Sequence, residues 1–247
     1  MPNNPANFES ELNTFRSEVD WAIRLLYSHL TVHSIAAKRP ATLKALNSHG
    51  YFWTTTLYAL QCSGFIALGR IFDQKSPHNV DKVLRLAQNQ ISIFSKTELA
   101  KRKSAGGGSA KEWLSDYLDG AYEPTHKDFR KLRKQVASQR AVYMEMCDQI
   151  RDKIFAHNEV NKPEAVKELF SRVELGRFQK LIIFLNQLHE SLWQLYHNGH
   201  KPVLEPMPYS ARQIVRTSLK DWERGTIQQL IVKDTQEFIG SIVRPNS

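Results

Sequence analysis

One arginine and one histidine stand six positions apart in the segment Arg151-Asp-Lys-Ile-Phe-Ala-His157. Histidine can remove or donate a proton near neutral pH, and arginine is a permanent cation whose planar fork fits a phosphate. The pair therefore suits proton transfer beside an anion. A structural interpretation also exists: His157 can cap the last carbonyls of its helix, and Arg151 can pair on the surface with Asp148 or Asp152.

Helical geometry limits how this pair can act within one chain. Six residues advance roughly 240° around a helix and about 9 Å along it, so the two side chains point in different directions. The long arginine side chain can still reach toward the histidine near the end of the helix. Asp152 lies on the more polar side of this helix, with Asp148 and Glu145, and could orient a histidine or an arginine.

The segment from Arg151 to Asn158 resembles the Arg-x4–6-His signature of HEPN domains, with a polar residue directly after the arginine. Together with residues 65–73, it looks like the abortive-infection branch of that superfamily. The resemblance covers about residues 1–200 in layout. It implies a metal-independent endoribonuclease that attacks with the RNA's own 2′-hydroxyl and leaves 2′,3′-cyclic phosphate ends, in a toxin or antiphage setting.

The same resemblance implies a role for each residue of the motif. His157 is the general acid or base, Arg151 contacts the phosphate and its transition state, and Asp152 orients them. One histidine and one arginine are too few for a full acid–base cycle, and HEPN proteins solve this by forming a homodimer in which two motifs line one cleft. We expect no metal and no cofactor. RNA such as tRNA or mRNA is the expected substrate, and an antitoxin or regulatory protein is a further candidate partner.

Positive charge is concentrated on the helix that leads into the motif. The chain carries 34 Lys and Arg against 25 Asp and Glu, a net charge of +9, which favours an anionic partner. Residues 127–140 are the densest part. A solvated helix face is the structural alternative. The candidate RNA-binding residues there are Lys127, Arg130, Lys131, Arg133 and Lys134.

Two further groups of cations accompany this helix. Lys96, Lys101, Arg102, Lys103 and Lys111 form a second basic cluster, which could also follow a phosphate backbone. Arg70 ends a long uncharged segment and is a candidate second phosphate contact. The interpretation that we favour for Arg70 is an ion pair with Asp73, three residues later.

Helical periodicity covers almost the whole chain, so we expect an all-α, antiparallel, HEPN-like bundle with a C-terminal helical extension. The first helix begins after Asn4-Pro5 and runs to about Lys38, and a second spans residues 41–72. The motif helix begins near Thr125 and ends near His157. Prolines after Lys201 predict a linker, which divides the chain into a bundle (residues 1–200) and an extension (residues 201–247).

Several classes of protein are excluded by absent patterns. Two cysteines are too few for a disulfide framework, and no glycine-rich phosphate loop or nucleophile elbow occurs. His29 and His33 have the spacing of two metal ligands but lack a third, so we interpret them as packed or solvated. Residues 51–69 are uncharged, and we interpret them as a mostly buried helix rather than a membrane span. The opening residues are polar and predict an intracellular, cytoplasmic protein.

Two rival functions remain. A HEPN-like bundle can bind RNA, a nucleotide or a protein without cutting, and a structural helical protein can carry its charge for solubility alone. Only the ribonuclease predicts that His157→Ala removes cleavage while RNA affinity remains. The ribonuclease and the RNA-binding module both predict an affinity for RNA that falls steeply as salt rises, whereas the structural protein does not.

Overall fold

The structure is a computed structural model that describes residues 5–105, 111–151, 175–204 and 226–243. All regular elements in these ranges are helices, which confirms the predicted all-α class. A short 3-10 helix, Ile91–Phe94, lies between α4 and α5. The α-helices are α1 (Pro5–Lys38), α2 (Pro40–Ser48), α3 (Gly50–Phe72), α4 (Val80–Asn89), α5 (Lys96–Ser104), α6 (Lys111–Asp119), α7 (His126–Arg151), α8 (Leu175–Asn198) and α9 (Ile227–Val243).

These helices belong to two compact units. Unit 1 comprises Met1–Ser17 and Arg70–Pro206, and unit 2 comprises Glu18–Gly69 and Met207–Ser247. Helices α1 and α3 each contribute to both. The division predicted between residues 200 and 201 stays a prediction.

Aromatic packing holds unit 1 together around α7. Phe8 contacts the rings of Phe94 and Tyr196, with centroids 5.2 Å apart in both cases. Phe94 in turn contacts Phe129 of α7 at 5.5 Å. Phe129 and Val136 are fully buried, as the apolar stripe of the motif helix predicts. Because this stripe faces the core, the basic residues between its members face outward.

The carboxyl end of α8 is fixed by a glycine. Gly199 has φ +63°, a left-handed conformation that residues with a Cβ rarely adopt. Its N–H and that of His200 donate to the carbonyls of Leu195 and Gln194, in a Schellman-type ending. The Gly199 carbonyl accepts from the Tyr122 N–H at 2.7 Å, which ties the end of α8 to the segment before α7.

Unit 2 has its own apolar core, and α2 and α9 contact each other there. Its buried members are Val32, Ile35, Leu46, Trp53 and Ile239.

The single helix predicted over residues 41–72 is wrong, because α2 ends at Ser48 and α3 begins at Gly50. His49 between them leaves helical geometry, with ψ 43°. Asn47, Ser48, His49 and Gly50 are all weak helix formers, so the chain loses little by breaking there.

The uncharged run over residues 51–69 is less buried than its composition predicts. None of the described helices is long and apolar enough to cross a membrane. Trp53, Ala67 and Leu68 are buried, but Tyr51 and Ile66 are exposed. The expectation of a mostly buried helix is therefore wrong, since burial follows only one face of α3.

Candidate nucleic-acid interface

The start of the motif helix is anchored by a carboxylate. The Asp128 carboxylate accepts the N–H and the hydroxyl of Thr125, both at 2.8 Å, and the Tyr122 hydroxyl at 2.9 Å. Burial raises the pKa of Asp128, but these hydrogen bonds outweigh it and the pKa lies below its ordinary value. Asp128 therefore stays ionised and caps the amino end of α7.

The five cations predicted to bind RNA all lie exposed on α7. Helical spacing places Lys127, Lys131 and Lys134 on one stripe, away from the buried Phe129. None of the five forms an ion pair with a carboxylate in the part of the chain that the structure describes. Arg133 donates to the Gln88 amide oxygen of α4 at 3.4 Å. We call these residues the basic face: Lys127, Arg130, Lys131, Arg133 and Lys134.

Further along the same helix, Arg140 has a structural contact. Its guanidinium pairs with the Asp81 carboxylate and donates to the Phe72 carbonyl at 3.1 Å. Tyr143, one turn later, stacks on the Phe72 ring at 5.3 Å. These contacts tie α7 to α4 and to the end of α3, so Arg140 and Tyr143 are less suited than the basic face to meet RNA.

The second basic cluster is largely occupied by contacts within unit 1. Arg102 donates to the carbonyls of Ile93 and Tyr196 at 2.9 and 2.8 Å, and its charge lies 4.1 Å from the centre of the Tyr196 ring. Lys101 pairs with Glu98 at 2.6 Å. The Lys96 ammonium donates to the backbone carbonyl of Asp119, and the Lys103 ammonium donates to the side-chain amide oxygen of Asn198. The Ser95 hydroxyl accepts from the Glu98 N–H and so caps the amino end of α5. The basic face is thus the better candidate for phosphate.

The motif itself is described only at its first residue. Arg151 is the last described residue of α7, and the predicted catalytic residues Asp152 and His157 lie outside the described residues. Arg70 is exposed in the last turn of α3. Asp73, its predicted partner, accepts the Lys75 N–H at 2.9 Å and so stabilises the turn after α3. The roles assigned to Arg70, Arg151, Asp152 and His157 stay predictions.

The two histidines considered as metal ligands contact each other in unit 2. The His29 and His33 rings are 4.5 Å apart, and the Gln61 amide nitrogen lies 3.1 Å from Nε2 of His29. Burial, together with the charge of His33, lowers the pKa of His29 to about 4. Among the described residues, no group of three or more His, Cys, Asp or Glu could hold a metal ion.

Two buried polar groups in unit 1 had no sequence signal. Glu11 is buried and accepts from Lys82 at 2.7 Å and from His78 at 3.1 Å. His189 is buried beside Phe15, and neither of its ring nitrogens has a hydrogen-bond partner among the described residues. Because the partners of Glu11 lie about 70 residues away in sequence, no local pattern could have predicted this contact.

Comparison with known proteins gives one informative result. No curated protein and no solved structure matches the chain. The family model described as HEPN AbiU2 matches residues 5–216, which include the basic face, the motif and the proline-rich segment. The match spans most of the chain, and it agrees with the all-α fold of the described residues. The chain therefore belongs to the HEPN AbiU2 family, a HEPN-domain family tied to abortive infection.

Proposed function

We propose that this protein is a metal-independent endoribonuclease, acting as a toxin or antiphage effector, whose active site is completed by homodimerisation. Its catalytic residues are Arg151, Asp152 and His157. The observation that carries the proposal is the family match, which contains the whole Arg-x5-His motif. The exposed basic face on α7, the helix that leads to Arg151, adds support.

The proposed reaction uses only groups of the RNA and of two protein copies. His157 removes the proton of a 2′-hydroxyl, and the freed oxygen attacks the adjacent phosphorus. The new O2′–P bond forms as the P–O5′ bond breaks, and the histidine of the second copy protonates the departing 5′-oxygen. The products are a 2′,3′-cyclic phosphate and a 5′-hydroxyl. Arg151 stabilises the negative charge added to the phosphate, and Asp152 orients these groups.

The basic face supplies affinity and register rather than chemistry. Cations on one face of a helix bind successive phosphates without reading the bases. The face begins at Lys127, and α7 rises by about 1.5 Å per residue, so roughly 36 Å of helix separate Lys127 from Arg151. An RNA strand lying along α7 would thus be held at some distance from the cleaved bond. This arrangement favours RNA with an extended accessible strand, such as mRNA or the single-stranded parts of tRNA.

Cleavage in EDTA tests the proposal. Wild type, His157→Ala, Arg151→Ala and the surface control Lys75→Ala are incubated with tRNA, mRNA and rRNA. We expect wild type and the control to cleave and to leave 2′,3′-cyclic phosphate ends. The two motif variants should lose at least about a hundredfold in rate, which is typical when a general acid or base is removed, and His157→Ala should keep its RNA affinity.

Other results would contradict the proposal in different ways. Equal products from all four proteins would indicate a contaminating nuclease. RNA binding without cleavage by any of them, with and without added Mg²⁺, would favour a non-catalytic binding module. Cleavage that requires Mg²⁺ would reject the metal-independent mechanism while leaving a ribonuclease.

A further inference from the structure

Helix α4 packs antiparallel to α7 in unit 1, and side chains join the two helices at two levels. Gln88, near the end of α4, accepts a hydrogen bond from Arg133, and Asp81, near its start, pairs with Arg140. Seven residues separate the two contacts on each helix, so the helices keep one register over about two turns. We call the line along which they meet the α4–α7 seam. It starts beside the basic face, at Arg133, and runs in the direction of Arg151.

Arg85 lies on the seam between these two contacts. It follows Asp81 by four residues and precedes Gln88 by three, so the three residues share one stripe of α4. Arg85 is exposed, and a rise of three residues places it about 4.5 Å past the level of the Gln88 contact, in the direction of Arg151. The seam therefore carries an exposed arginine on each helix: Arg85 on α4 and Arg133 on α7.

Both arginines keep most of their hydrogen-bond donors for a ligand. Nε of Arg85 donates to the Asp81 carbonyl of its own helix, and Nη1 of Arg133 donates to Gln88, both at 3.4 Å. These hydrogen bonds are long, and neither arginine pairs with a carboxylate in the part of the chain that the structure describes. The carboxylate on this stripe, that of Asp81, is buried and paired with Arg140. Its charge is thus already balanced, and the positive charges of Arg85 and Arg133 are not.

The width and the charge of the seam fit one strand of a nucleic acid. An arginine binds a phosphate through two parallel hydrogen bonds, and here one arginine approaches from each helix. The axes of packed helices lie roughly 8–10 Å apart, which admits a single extended backbone but not a duplex. The basic face continues the cations along α7 at intervals of three or four residues, and such a series suits the repeating charge of a phosphodiester chain.

We propose that the α4–α7 seam binds single-stranded RNA, and that Arg85 and Arg133 hold its phosphates from the two helices. This assignment rests on the proposed function for the nature of the ligand and deepens it. The substrate is unpaired RNA, whose backbone follows the basic face and then the seam in the direction of Arg151. The assignment also adds Arg85, a residue of a second helix, to the RNA interface.

Gln88→Glu tests the seam without removing a cation. The new carboxylate lies where Arg133 now meets an amide oxygen, and one turn from Arg85, so it neutralises this pair and repels phosphate. The matched control is Gln228→Glu, which makes the same change at a half-buried glutamine of α9 in unit 2. Fluorescence anisotropy in the His157→Ala background measures the binding of labelled oligouridine. We expect the seam variant to bind about tenfold more weakly than its parent and the control to bind as the parent does.

Substitutions of Arg85 separate the role of the guanidinium from that of its charge. Arg85→Ala should weaken binding about tenfold and make the slope of log K against log salt less steep by about 0.7. Arg85→Lys keeps the charge and should keep the slope, but it should still weaken binding because an ammonium cannot form the bidentate contact. Arg39→Ala removes an exposed arginine of unit 2 and should change neither quantity beyond the effect of one net charge. Circular dichroism should report the same fold for all variants.

Two competing ligands check the class of molecule that the seam binds. Oligouridine annealed to oligoadenosine presents the same strand in a duplex, and its binding should not depend on Arg85. An equal dependence on Arg85 for the duplex would refute the choice of single-stranded RNA. Poly-glutamate should not displace oligouridine at an equal concentration of charges. Displacement that requires Arg85 would assign the seam to an acidic protein instead.

The outcomes also separate the seam from the proposed function. Tight binding of oligouridine that ignores both Gln88→Glu and Arg85→Ala overturns the seam and leaves the ribonuclease. Equal losses in Gln88→Glu and Gln228→Glu would overturn the seam as well, because binding would then follow net charge. Binding through the seam by a wild type that cleaves no RNA supports the seam and overturns the ribonuclease. A wild type that binds no RNA overturns both.

Discussion

Removing three lysines from the basic face should change how strongly salt weakens RNA binding. Each protein cation that neutralises a phosphate of single-stranded nucleic acid contributes about −0.7 to the slope of log K against log salt. If all five residues of the basic face contact phosphate, the wild-type slope is about −3.5. The triple variant Lys127→Ala/Lys131→Ala/Lys134→Ala keeps two cations, so its slope is about −1.4.

Fluorescence anisotropy with a labelled single-stranded RNA measures both slopes. The His157→Ala background prevents cleavage during the titration. Raising salt from about 50 to about 200 mM should weaken the parent by roughly a hundredfold and the triple variant by less than tenfold. The matched control is Lys38→Ala/Lys75→Ala/Lys180→Ala, which removes three exposed lysines that lie off α7 and outside the second basic cluster.

The control decides between a local interface and a general effect of charge. Both triple variants change the net charge by the same amount. If both triple variants make the salt dependence less steep by the same amount, RNA binding follows net charge and the basic face has no special role. If neither does, RNA does not contact these lysines. The interface is supported only if the slope becomes less steep in the α7 variant and stays unchanged in the control.

Three further predictions concern stability. His189 is buried and its pKa is lowered by burial, then by the charge of Arg16, from 6.5 to about 4. The unfolded chain therefore binds more protons than the folded one, and this group alone should lower stability by about 2 kcal/mol from pH 7 to pH 5. His29, whose pKa is also about 4, should add a similar loss. His189→Leu should therefore remove about half of the loss measured in urea titrations, and an unchanged pH profile would contradict the reasoning. Asp81→Asn should cost about 3–5 kcal/mol, because Arg140 then stays largely buried without its counter-ion; a cost below about 1 kcal/mol would show that water replaces the carboxylate. Gly199→Ala should lower the melting temperature, because a Cβ there would lie 2.8 Å from a Leu99 methyl and φ is positive; an unchanged melting temperature would mean that the turn relaxes.

Local signals in the sequence predicted helix ends well. Helix α1 begins at Pro5, where the Asn4-Pro5 signal predicts it; the Ser95 side chain caps α5, and Gly199 follows the end of α8. Each of these signals acts within one or two turns, through a hydrogen bond or a fixed dihedral angle. The exposure of the basic face could also be predicted locally, because helical spacing alone places Lys131 and the buried Phe129 on different sides of α7.

Interactions between distant segments could not be predicted in this way. Arg102 and Arg130 both lie among other basic residues in the sequence. The Arg102 guanidinium nevertheless donates to two backbone carbonyls within unit 1, whereas Arg130 is exposed. The difference depends on which helices pack together. The exposure of Tyr51 has the same origin, because an uncharged run does not reveal which of its faces has a neighbour. Burial of His189 likewise depends on packing between α8 and the start of α1.

The division of unit 2 between two distant stretches of chain has a consequence for synthesis. Residues 18–69 leave the ribosome early, but the helix that packs on their core, α9, is made more than 150 residues later. Trp53 and Leu46 therefore remain incompletely covered while residues 70–206 of unit 1 are translated, and unit 1 can fold during that time. A ribosome that stalls before α9 would release a product with an unfinished core, prone to aggregation or proteolysis. The core of unit 2 is thus completed only once α9 has been made.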